Sequence, residues 1–291
     1  MKNKILLATV VCAVAFFSSC QKENASSPVS TAVTDSDESD MYTETLPMVQ
    51  KPVSRTINSN IGGYLEALPA HYADHPLKRY ALIIFMHGQG EMGTGSVSDL
   101  NKITDNAIPK LIADKTFPQN FIVNDTTFQF IVISPQFKAW PQPLDVNNMI
   151  NYAINNYRIN RNRIYVCGLS MGGGGTWDYT WTEGQGVAAI VPIAGASWPT
   201  TQKAQYIAQD SVAVWAFHNT GDPTVPSWYS EDYVQYINEA NPYIPARLTE
   251  FNSTSHNAWT TATDPNYKEN GKNIYEWMLT YKKKRRNRLP Q

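Results

Sequence analysis

Ser170 stands in sequence surroundings that are typical of a nucleophile. It is the centre of residues 168–172, GLSMG, a GxSxG motif between a predicted strand over residues 163–167 and a predicted helix over residues 171–181. The turn in such a motif is sharp and the serine backbone is strained, so side chains two positions away on either side would collide. Glycine at positions 168 and 172 avoids that collision. The motif therefore predicts a serine hydroxyl raised clear of the sheet.

A phosphate-binding loop is the alternative suggested by the density of glycines in this stretch. A P-loop needs lysine directly after its second glycine, where this chain has Gly174. A dinucleotide-binding fingerprint starting at Gly172 needs glycine at position 177, where this chain has Trp177. Both patterns lack a residue that the binding requires, so the nucleophile remains the better interpretation.

A serine nucleophile needs a base and an acid that orients the base, and two histidines follow Ser170. In a parallel sheet these groups come in the order Ser, Asp or Glu, His, after successive strands. Only His256 leaves room for an acid on an earlier strand, and Asp222 follows that strand directly. We therefore predict Ser170, Asp222 and His256 as the catalytic residues. We interpret His218 as a strand-end residue that hydrogen-bonds and shapes the loop of the acid.

An oxyanion hole needs a second amide from a loop after an early strand. The predicted strand over residues 80–86 is followed by residues 87–91, HGQGE. We predict that the backbone amides of Gln89 and Met171 are the two donors, and that His87 lies among the substrate-binding residues. The histidine and acidic residues of the chain do not have the spacing of a zinc site, so no metal is expected.

Short apolar runs alternate with amphipathic segments from about residue 57 onward. The runs ALIIFM, FIVIS and AAIVPIA are typical of strands covered by helices on both faces. This alternation predicts an α/β fold with a mostly parallel central sheet, flanking helices and no large cap domain. The predicted strands cover residues 63–68, 80–86, 128–134, 163–167, 187–193, 212–218 and 247–251. The predicted helices cover residues 99–113, 145–156, 171–181, 229–239 and 268–282.

Four segments in this order, FMHGQGEMG, RIYVCGLSMGGGGTWDY, FHNTGDPTVP and SHNAWTTA, resemble the α/β-hydrolase superfamily. They are most similar to lidless bacterial esterases of the polyhydroxybutyrate depolymerase, feruloyl esterase and phospholipase/carboxylesterase-like group. The resemblance covers about residues 63–282. It implies the α/β-hydrolase fold and ester hydrolysis through an acyl-enzyme, without a metal or organic cofactor. Trp198 and Trp259 are the candidates to line an aromatic- or sugar-binding cleft.

The function expected on these grounds is that of a serine carboxylic-ester hydrolase. Tryptophan usage and a predicted extracellular tether favour acyl esters of plant or other polysaccharides as substrates, in the manner of feruloyl or acetyl esterases. Two alternatives stay open. One is a serine peptidase on the same fold, and the other is a glycan-binding surface lipoprotein without catalysis.

The N-terminus predicts export. Residues 1–20 have two lysines, an apolar stretch too short to span a bilayer comfortably, and small residues before Cys20. This end resembles a bacterial lipoprotein signal, in which Cys20 is lipidated and anchors the protein to the outer membrane, with surface exposure as one outcome. An ordinary secretory peptide is the alternative. We predict a flexible tether over residues 21–55, a catalytic domain over residues 56–283 and a basic tail over residues 284–291.

The charge and cysteine counts narrow the expected partners. A formal net charge of −1 gives no general reason to bind nucleic acid, and the basic C-terminal run is interpreted as a solvated terminus. Cys167 is the one cysteine after residue 20, so the mature chain has no internal disulfide. We expect a monomer that contacts the membrane only through its lipid, needs no cofactor and binds an ester substrate.

Overall fold

The computed structural model describes residues 42–283. The predicted signal segment with Cys20, most of the predicted tether and the tail over residues 284–291 lie outside the described residues. Within residues 42–283, no helix is both long and apolar enough to cross a membrane.

Eight strands form one mixed sheet in the order β1-β2-β6-β3-β7-β8-β9-β10, and β4 and β5 form a separate hairpin. The six strands from β6 to β10 in this order are parallel to their neighbours, whereas β2 is antiparallel to both β1 and β6. The strand bounds are β1 Val49–Val53, β2 Ile61–Leu68, β3 Tyr80–Met86, β4 Phe121–Val123, β5 Thr126–Phe128, β6 Phe130–Phe137, β7 Ile159–Leu169, β8 Ala189–Ile193, β9 Ala213–Asn219 and β10 Arg247–Phe251.

Helices cover both faces of the sheet, which explains why its central strands are apolar along their whole length. Every residue of β3 is buried, with Leu82 and Ile84 in the core of one face and Ile83 and Phe85 in the core of the other. The helix bounds are α1 Val97–Leu100, α2 Ala107–Ala113, α3 Pro143–Asn156, α4 Met171–Glu183, α5 Thr201–Gln209, α6 Trp228–Glu239, α7 Trp259–Ala262 and α8 Ile274–Leu279. Helices α3 to α6 contribute to the first core, and α2 and α8 contribute to the second.

This architecture confirms the predicted α/β class with a mostly parallel sheet. The seven predicted strands correspond to seven of the strands observed in the sheet, and the bounds of β3 and β10 are those expected. Three predictions differ from the structure by more than a shift of an element's ends, and each difference has a local cause.

The predicted tether extends too far into the chain. Residues 49–53 form β1, which pairs with β2 along its whole length. This strand sits at the edge of the sheet, is largely exposed and contains Pro52, so its sequence carries neither the apolar run nor the alternation that marks a buried strand. Backbone pairing, together with the packing of Val53 against the core, makes it part of the domain.

Two predicted helices are interrupted. The helix expected over residues 99–113 breaks at Asn106, which has extended backbone, before α2 begins. Pro109 lacks the N–H that a continuous helix would bond to residue 105. The helix expected over residues 268–282 is shortened to α8, because Asn270 and Gly271 both have positive φ and form a turn. Asn273 then caps α8 by accepting from the backbone N–H of Glu276.

The parallel strands bring the loops of the predicted site to one side of the molecule. We call the side at which β6, β3, β7, β8, β9 and β10 end the carboxyl edge of the sheet. Ser170 follows β7, Asp222 follows β9 and His256 follows β10, so all three residues lie at this edge. Ligands of open α/β sheets bind outside the carboxyl ends of the strands.

Candidate active site

Ser170 occupies a strained turn between β7 and α4. Its φ of 51° and ψ of −115° lie where a residue with a side chain is rarely found. A Cβ at Gly168 would lie 2.4 Å from the carbonyl oxygen of Gly172, and a Cβ at Gly172 would lie 2.1 Å from that of Met86. The N–H of Ser170 donates to Ile193 at 2.9 Å. The two glycines and this bond hold the serine in its unusual conformation.

His256 connects Ser170 to Asp222. Its Nε2 lies 2.8 Å from Oγ of Ser170, and its Nδ1 lies 2.6 Å from Oδ2 of Asp222. Because a carboxylate only accepts, Nδ1 carries the ring proton and Nε2 presents its lone pair to the serine hydroxyl. This arrangement allows the imidazole to take the hydroxyl proton while the carboxylate stabilises the positive charge that forms.

The carboxylate of Asp222 is fixed from its other side. Its Oδ1 accepts from the backbone N–H groups of Thr224 at 2.8 Å and Val225 at 3.0 Å. The side chain is fully buried, whereas that of His256 is 20% exposed. The acid is therefore held inside its loop, and the histidine is partly reachable from solvent.

His218 is a neighbour of this group and has other partners. Its Nε2 donates to the carbonyl of Val225 at 2.9 Å, and its Nδ1 lies 2.8 Å from Oγ of Ser230. The ring is fully buried 3.5 Å from Asp222, and burial lowers its pKa. These contacts match the interpretation of His218 as a residue that shapes the loop of the acid.

The two amides expected to hold an oxyanion come from opposite sides of Ser170. Met171 is the first residue of α4, so its N–H has no partner within the helix, and the helix dipole favours negative charge there. Gln89 begins a short 3₁₀ turn after β3. The preceding residue, Gly88, is so close to the serine that a Cβ on it would lie 3.7 Å from the serine Cβ. Both predicted donors are thus adjacent to Ser170.

His87 does not lie in a position to contact substrate, which corrects the expectation from the sequence. The residue is 1% exposed, and its Nε2 accepts from the backbone N–H of Phe137 at 3.0 Å. Its Nδ1 therefore carries the proton and faces the carbonyl of Gly88 at 2.6 Å. Burial lowers its pKa to about 4, outweighing the bond to Gly88. His87 fastens the loop that carries Gln89 to the neighbouring strand.

Trp259 and Trp198 both lie on segments at the carboxyl edge of the sheet. The ring of Trp259 stands edge-on to that of His256, with centroids 5.2 Å apart, and its Nε1 donates to Oδ1 of Asn106 at 3.0 Å. Trp198 is 61% exposed on the loop after β8 and contacts Trp228. Both residues remain available as side walls of a cleft.

Asn106 is a residue of the site that the sequence did not indicate. Its Nδ2 donates to Oε1 of Glu91 at 2.5 Å while its Oδ1 accepts from Trp259. Asn106 therefore joins the loop of Gln89 to the loop of His256. The local signal was weak: an asparagine inside a predicted helix, three residues before a proline.

A metal centre is not evident among the described residues. Residues 42–283 contain no group of three or more His, Cys, Asp or Glu side chains that could hold an ion. The polar groups at the carboxyl edge instead pair with one another, as the chain from Ser170 through His256 to Asp222 illustrates.

The sequence of the chain matches a known protein family. The sequence profile of the phospholipase/carboxylesterase family matches residues 73–264, about two thirds of the chain and the whole segment from Ser170 to His256. The chain belongs to this family. A comparison with curated proteins finds no significant match.

Solved structures of several hydrolases share the fold. A thermostable esterase is 24% identical with a TM-score of 0.56, covering 81% of this chain and 62% of its own. A fluorophosphonate-binding serine hydrolase of Staphylococcus aureus is 14% identical with a TM-score of 0.56, covering 80% and 99%. A ferulic acid esterase is 16% identical with a TM-score of 0.52, covering 75% and 94%.

These likenesses confirm the predicted α/β-hydrolase fold, without a large cap. The chain spans 62% of the length of the thermostable esterase, so the activity of that protein is not transferred to it. Membership of the phospholipase/carboxylesterase family supports a hydrolase. Which bond it hydrolyses has to be argued from the site.

Proposed function

We propose that this member of the phospholipase/carboxylesterase family is a serine carboxylic-ester hydrolase that works through Ser170, His256 and Asp222. The observation that carries the proposal is the continuous chain of contacts from Oγ of Ser170 to His256 at 2.8 Å and from His256 to Asp222 at 2.6 Å. The strained backbone of Ser170 supports it, because such strain persists where a function maintains it.

The first half of the reaction acylates the serine. His256 Nε2 takes the hydroxyl proton as Oγ of Ser170 bonds to the carbonyl carbon of the ester, whose π electrons move to oxygen. The backbone N–H groups of Gln89 and Met171 hold the resulting oxyanion. When the carbonyl re-forms, the bond to the alcohol oxygen breaks, and the imidazolium gives its proton to that oxygen.

The second half releases the acid. His256 removes a proton from water as its oxygen attacks the acyl carbon, and the oxyanion forms again in the same place. On its collapse the bond to Oγ breaks and His256 returns the proton to Ser170. The serine and histidine are restored, and no group outside the chain and the two substrates is required.

The substrate class we propose is an acyl ester carried by a polysaccharide, such as a feruloyl or acetyl ester. Support comes from the tryptophans that border the site, Trp198 and Trp259, whose rings suit an aryl or sugar group. A ferulic acid esterase has the same fold at 16% identity, which is compatible with this class.

Removing the nucleophile tests the proposal. We expect Ser170→Ala to lower kcat/KM for p-nitrophenyl acetate by about 10⁴-fold or more, because a triad that lacks its nucleophile retains only weak catalysis. The measurement is steady-state hydrolysis, with circular dichroism to verify folding. Ser98→Ala changes an exposed serine of α1 and should behave as the wild type. Hydrolysis by Ser170→Ala at the wild-type rate would show that Ser170 is not the nucleophile.

A substrate comparison separates the alternatives. Feruloylated, acetylated and short-chain acyl esters are compared with a peptide panel, and Ser170 is labelled with a fluorophosphonate. Faster cleavage of peptides than of esters would identify a peptidase. A serine that fails to react with the probe at neutral pH would favour glycan binding without catalysis.

A further inference from the structure

The exposed tryptophans are confined to the carboxyl edge of the sheet. All eight tryptophans lie in the described part of the chain, and of these Trp140 and Trp198 are exposed, by 39% and 61%. Trp140 follows β6 and Trp198 follows β8, so both belong to the loops that surround Ser170. Both exposed indole rings therefore lie at the edge where ligands of open α/β sheets bind.

The loops that carry the two tryptophans follow strands on opposite sides of β7 in the sheet order. In the sheet order, β6 and β8 are separated by β3 and β7, and Ser170 follows β7. Three strand spacings separate the ends of β6 and β8, about 15 Å. A short acyl group such as acetyl, bound at the serine, cannot reach both loops, whereas a chain of linked sugar rings crossing the site is long enough to contact both.

Both loops contact the turn of Ser170 or the helix α4 that follows it. Ala196, two residues before Trp198, donates its N–H to the carbonyl of Ser170 at 3.1 Å. On the other side, Pro141 packs so tightly on α4 that a Cβ at Gly175 would lie 2.7 Å from its ring. The positions of the two tryptophans are therefore tied to that of the nucleophile.

Trp198 is held in place although its ring is exposed. Its carbonyl accepts from Nζ of Lys203 at 3.0 Å and from the hydroxyl of Tyr233 at 3.3 Å. Its ring stands edge-to-face with Trp228 at 5.0 Å and with Tyr229 at 5.6 Å. A preorganised aromatic ring loses little conformational entropy on binding, which is the property of a binding platform.

We propose that Trp198 and Trp140 are stacking subsites for neutral sugar rings on the two sides of the ester, so that the substrate is an ester within a glycan chain. A pyranose ring has an apolar C–H face that packs on indole, while its hydroxyl groups remain in water. This matches single exposed rings rather than a closed aryl slot. The nearby charges of Lys203 and Asp178 pair with each other at 3.0 Å, which leaves no free charge from that pair for an ionic ligand.

The proposal is tested in two ways. The first test measures sugar binding and does not depend on the proposed ester hydrolysis, whereas the second measures turnover and rests on it. In the first test, Ser170→Ala protein is titrated with xylohexaose, mannohexaose and cellohexaose by calorimetry. We expect saturable binding of at least one hexaose, weakened about tenfold by Trp198→Ala and less by Trp198→Phe. Trp140→Ala should weaken the binding of the same hexaose.

The matched control is Tyr243→Ala. Tyr243 is an aromatic residue that is 87% exposed, and it precedes β10 and so lies at the opposite edge of the sheet. We expect its loss to change hexaose affinity less than twofold. Absence of binding by all three hexaoses, or equal weakening by Trp198→Ala and Tyr243→Ala, would overturn the proposal.

The second test uses turnover. We expect Trp198→Ala to raise KM for acetylated xylo-oligosaccharide about tenfold with little change in kcat, and to lower the preference for this ester over p-nitrophenyl acetate by the same factor. An unchanged preference would contradict the subsites. Hexaose binding by a protein that hydrolyses neither ester would contradict the esterase and leave the subsites standing.

Discussion

Asn106 connects the two loops whose relative position decides whether Ser170 can react. Its amide bonds Glu91 in the loop of the oxyanion donors at 2.5 Å and Trp259 beside His256 at 3.0 Å. Burial raises the pKa of Glu91, whereas the bond from Asn106 favours its ionised form. Asn106 thus fixes the position of the Gln89 loop relative to the His256 loop through its hydrogen bonds to Glu91 and Trp259. It does not contact the reacting atoms itself.

Asn106→Ala tests this positioning role. We expect kcat for p-nitrophenyl acetate to fall about tenfold with little change in KM, because a lost hydrogen bond to a charged group corresponds to about 1.5–3 kcal/mol, part of which reaches the transition state. Steady-state kinetics over a range of pH provide the measurement. Asn101→Ala alters an exposed asparagine five residues earlier and serves as the control. Equal kinetics in the two variants would show that Asn106 has no such role.

At the scale of residues, the order along the sequence predicts which side chains meet only where the topology is regular. Ser170, Asp222 and His256 could be selected because parallel strands carry their carboxyl ends to one edge, so order along the chain predicts proximity. Asn106 could not be selected in this way, because its contact with Trp259 joins residues that are 153 positions apart in the sequence. His87 was misjudged for a similar reason, since only the structure shows Phe137 occupying its Nε2.

At the scale of elements, the first turn of α4 explains the run of glycines after the nucleophile. A Cβ at Gly173 would lie 2.7 Å from the carbonyl of Ile193, and a Cβ at Gly174 would lie 2.6 Å from that of Ala196. The adjoining glycines meet β3 and Pro141 in the same way. Glycine lowers helix stability by about 1 kcal/mol relative to alanine, so its repetition reflects close packing of this turn against its neighbours.

Gly174→Ala separates these two effects. Helix propensity alone would stabilise the protein by about 1 kcal/mol, but the added methyl group must displace backbone at Ala196, and overpacking destabilises by about 1–3 kcal/mol. We expect a net loss in the free energy of unfolding, measured by urea titration. Gly186→Ala, where a Cβ meets nothing within 4 Å, should change it by less than about 0.5 kcal/mol. A more stable Gly174→Ala protein would contradict the packing argument.

Element bounds followed the sequence where side chains decide them and departed where backbone or distant contacts do. The bounds of β3 were predicted because its apolar run ends at polar loops. β1 was missed because backbone pairing with β2 and a few side-chain contacts, rather than an apolar run, join it to the sheet. The interruption at Asn106 was missed because that side chain serves the site rather than a helix.

At the scale of the whole molecule, the segment before β1 is integrated with the domain through Glu44. This carboxylate is buried and accepts from the backbone N–H groups of Thr45 at 2.9 Å, Leu46 at 3.1 Å and His71 at 2.9 Å. Its own backbone exchanges two hydrogen bonds with the side chain of Asn120. The structure therefore extends the folded domain at least to Glu44, beyond the boundary expected near residue 56.

Acid should release this segment, and Glu44→Gln provides the comparison. Burial by itself would raise the pKa of Glu44, but the hydrogen bonds from His71, Leu46 and Thr45 outweigh it and lower the pKa to about 2 from an ordinary value of 4.5. A group with a lowered folded-state pKa stabilises fully above its unfolded pKa, and this contribution is lost as the pH falls from 4.5 toward 2. We expect Glu44→Gln to lower the free energy of unfolding at pH 7 by about 2 kcal/mol, and the gap to the wild type to narrow at pH 3. Urea titrations at both pH values measure this gap, with Glu183→Gln, an exposed glutamate at the end of α4, as the control. Because other carboxylates titrate equally in both proteins, a gap of the same size at pH 7 and pH 3 would show that the ionised Glu44 does not hold the segment.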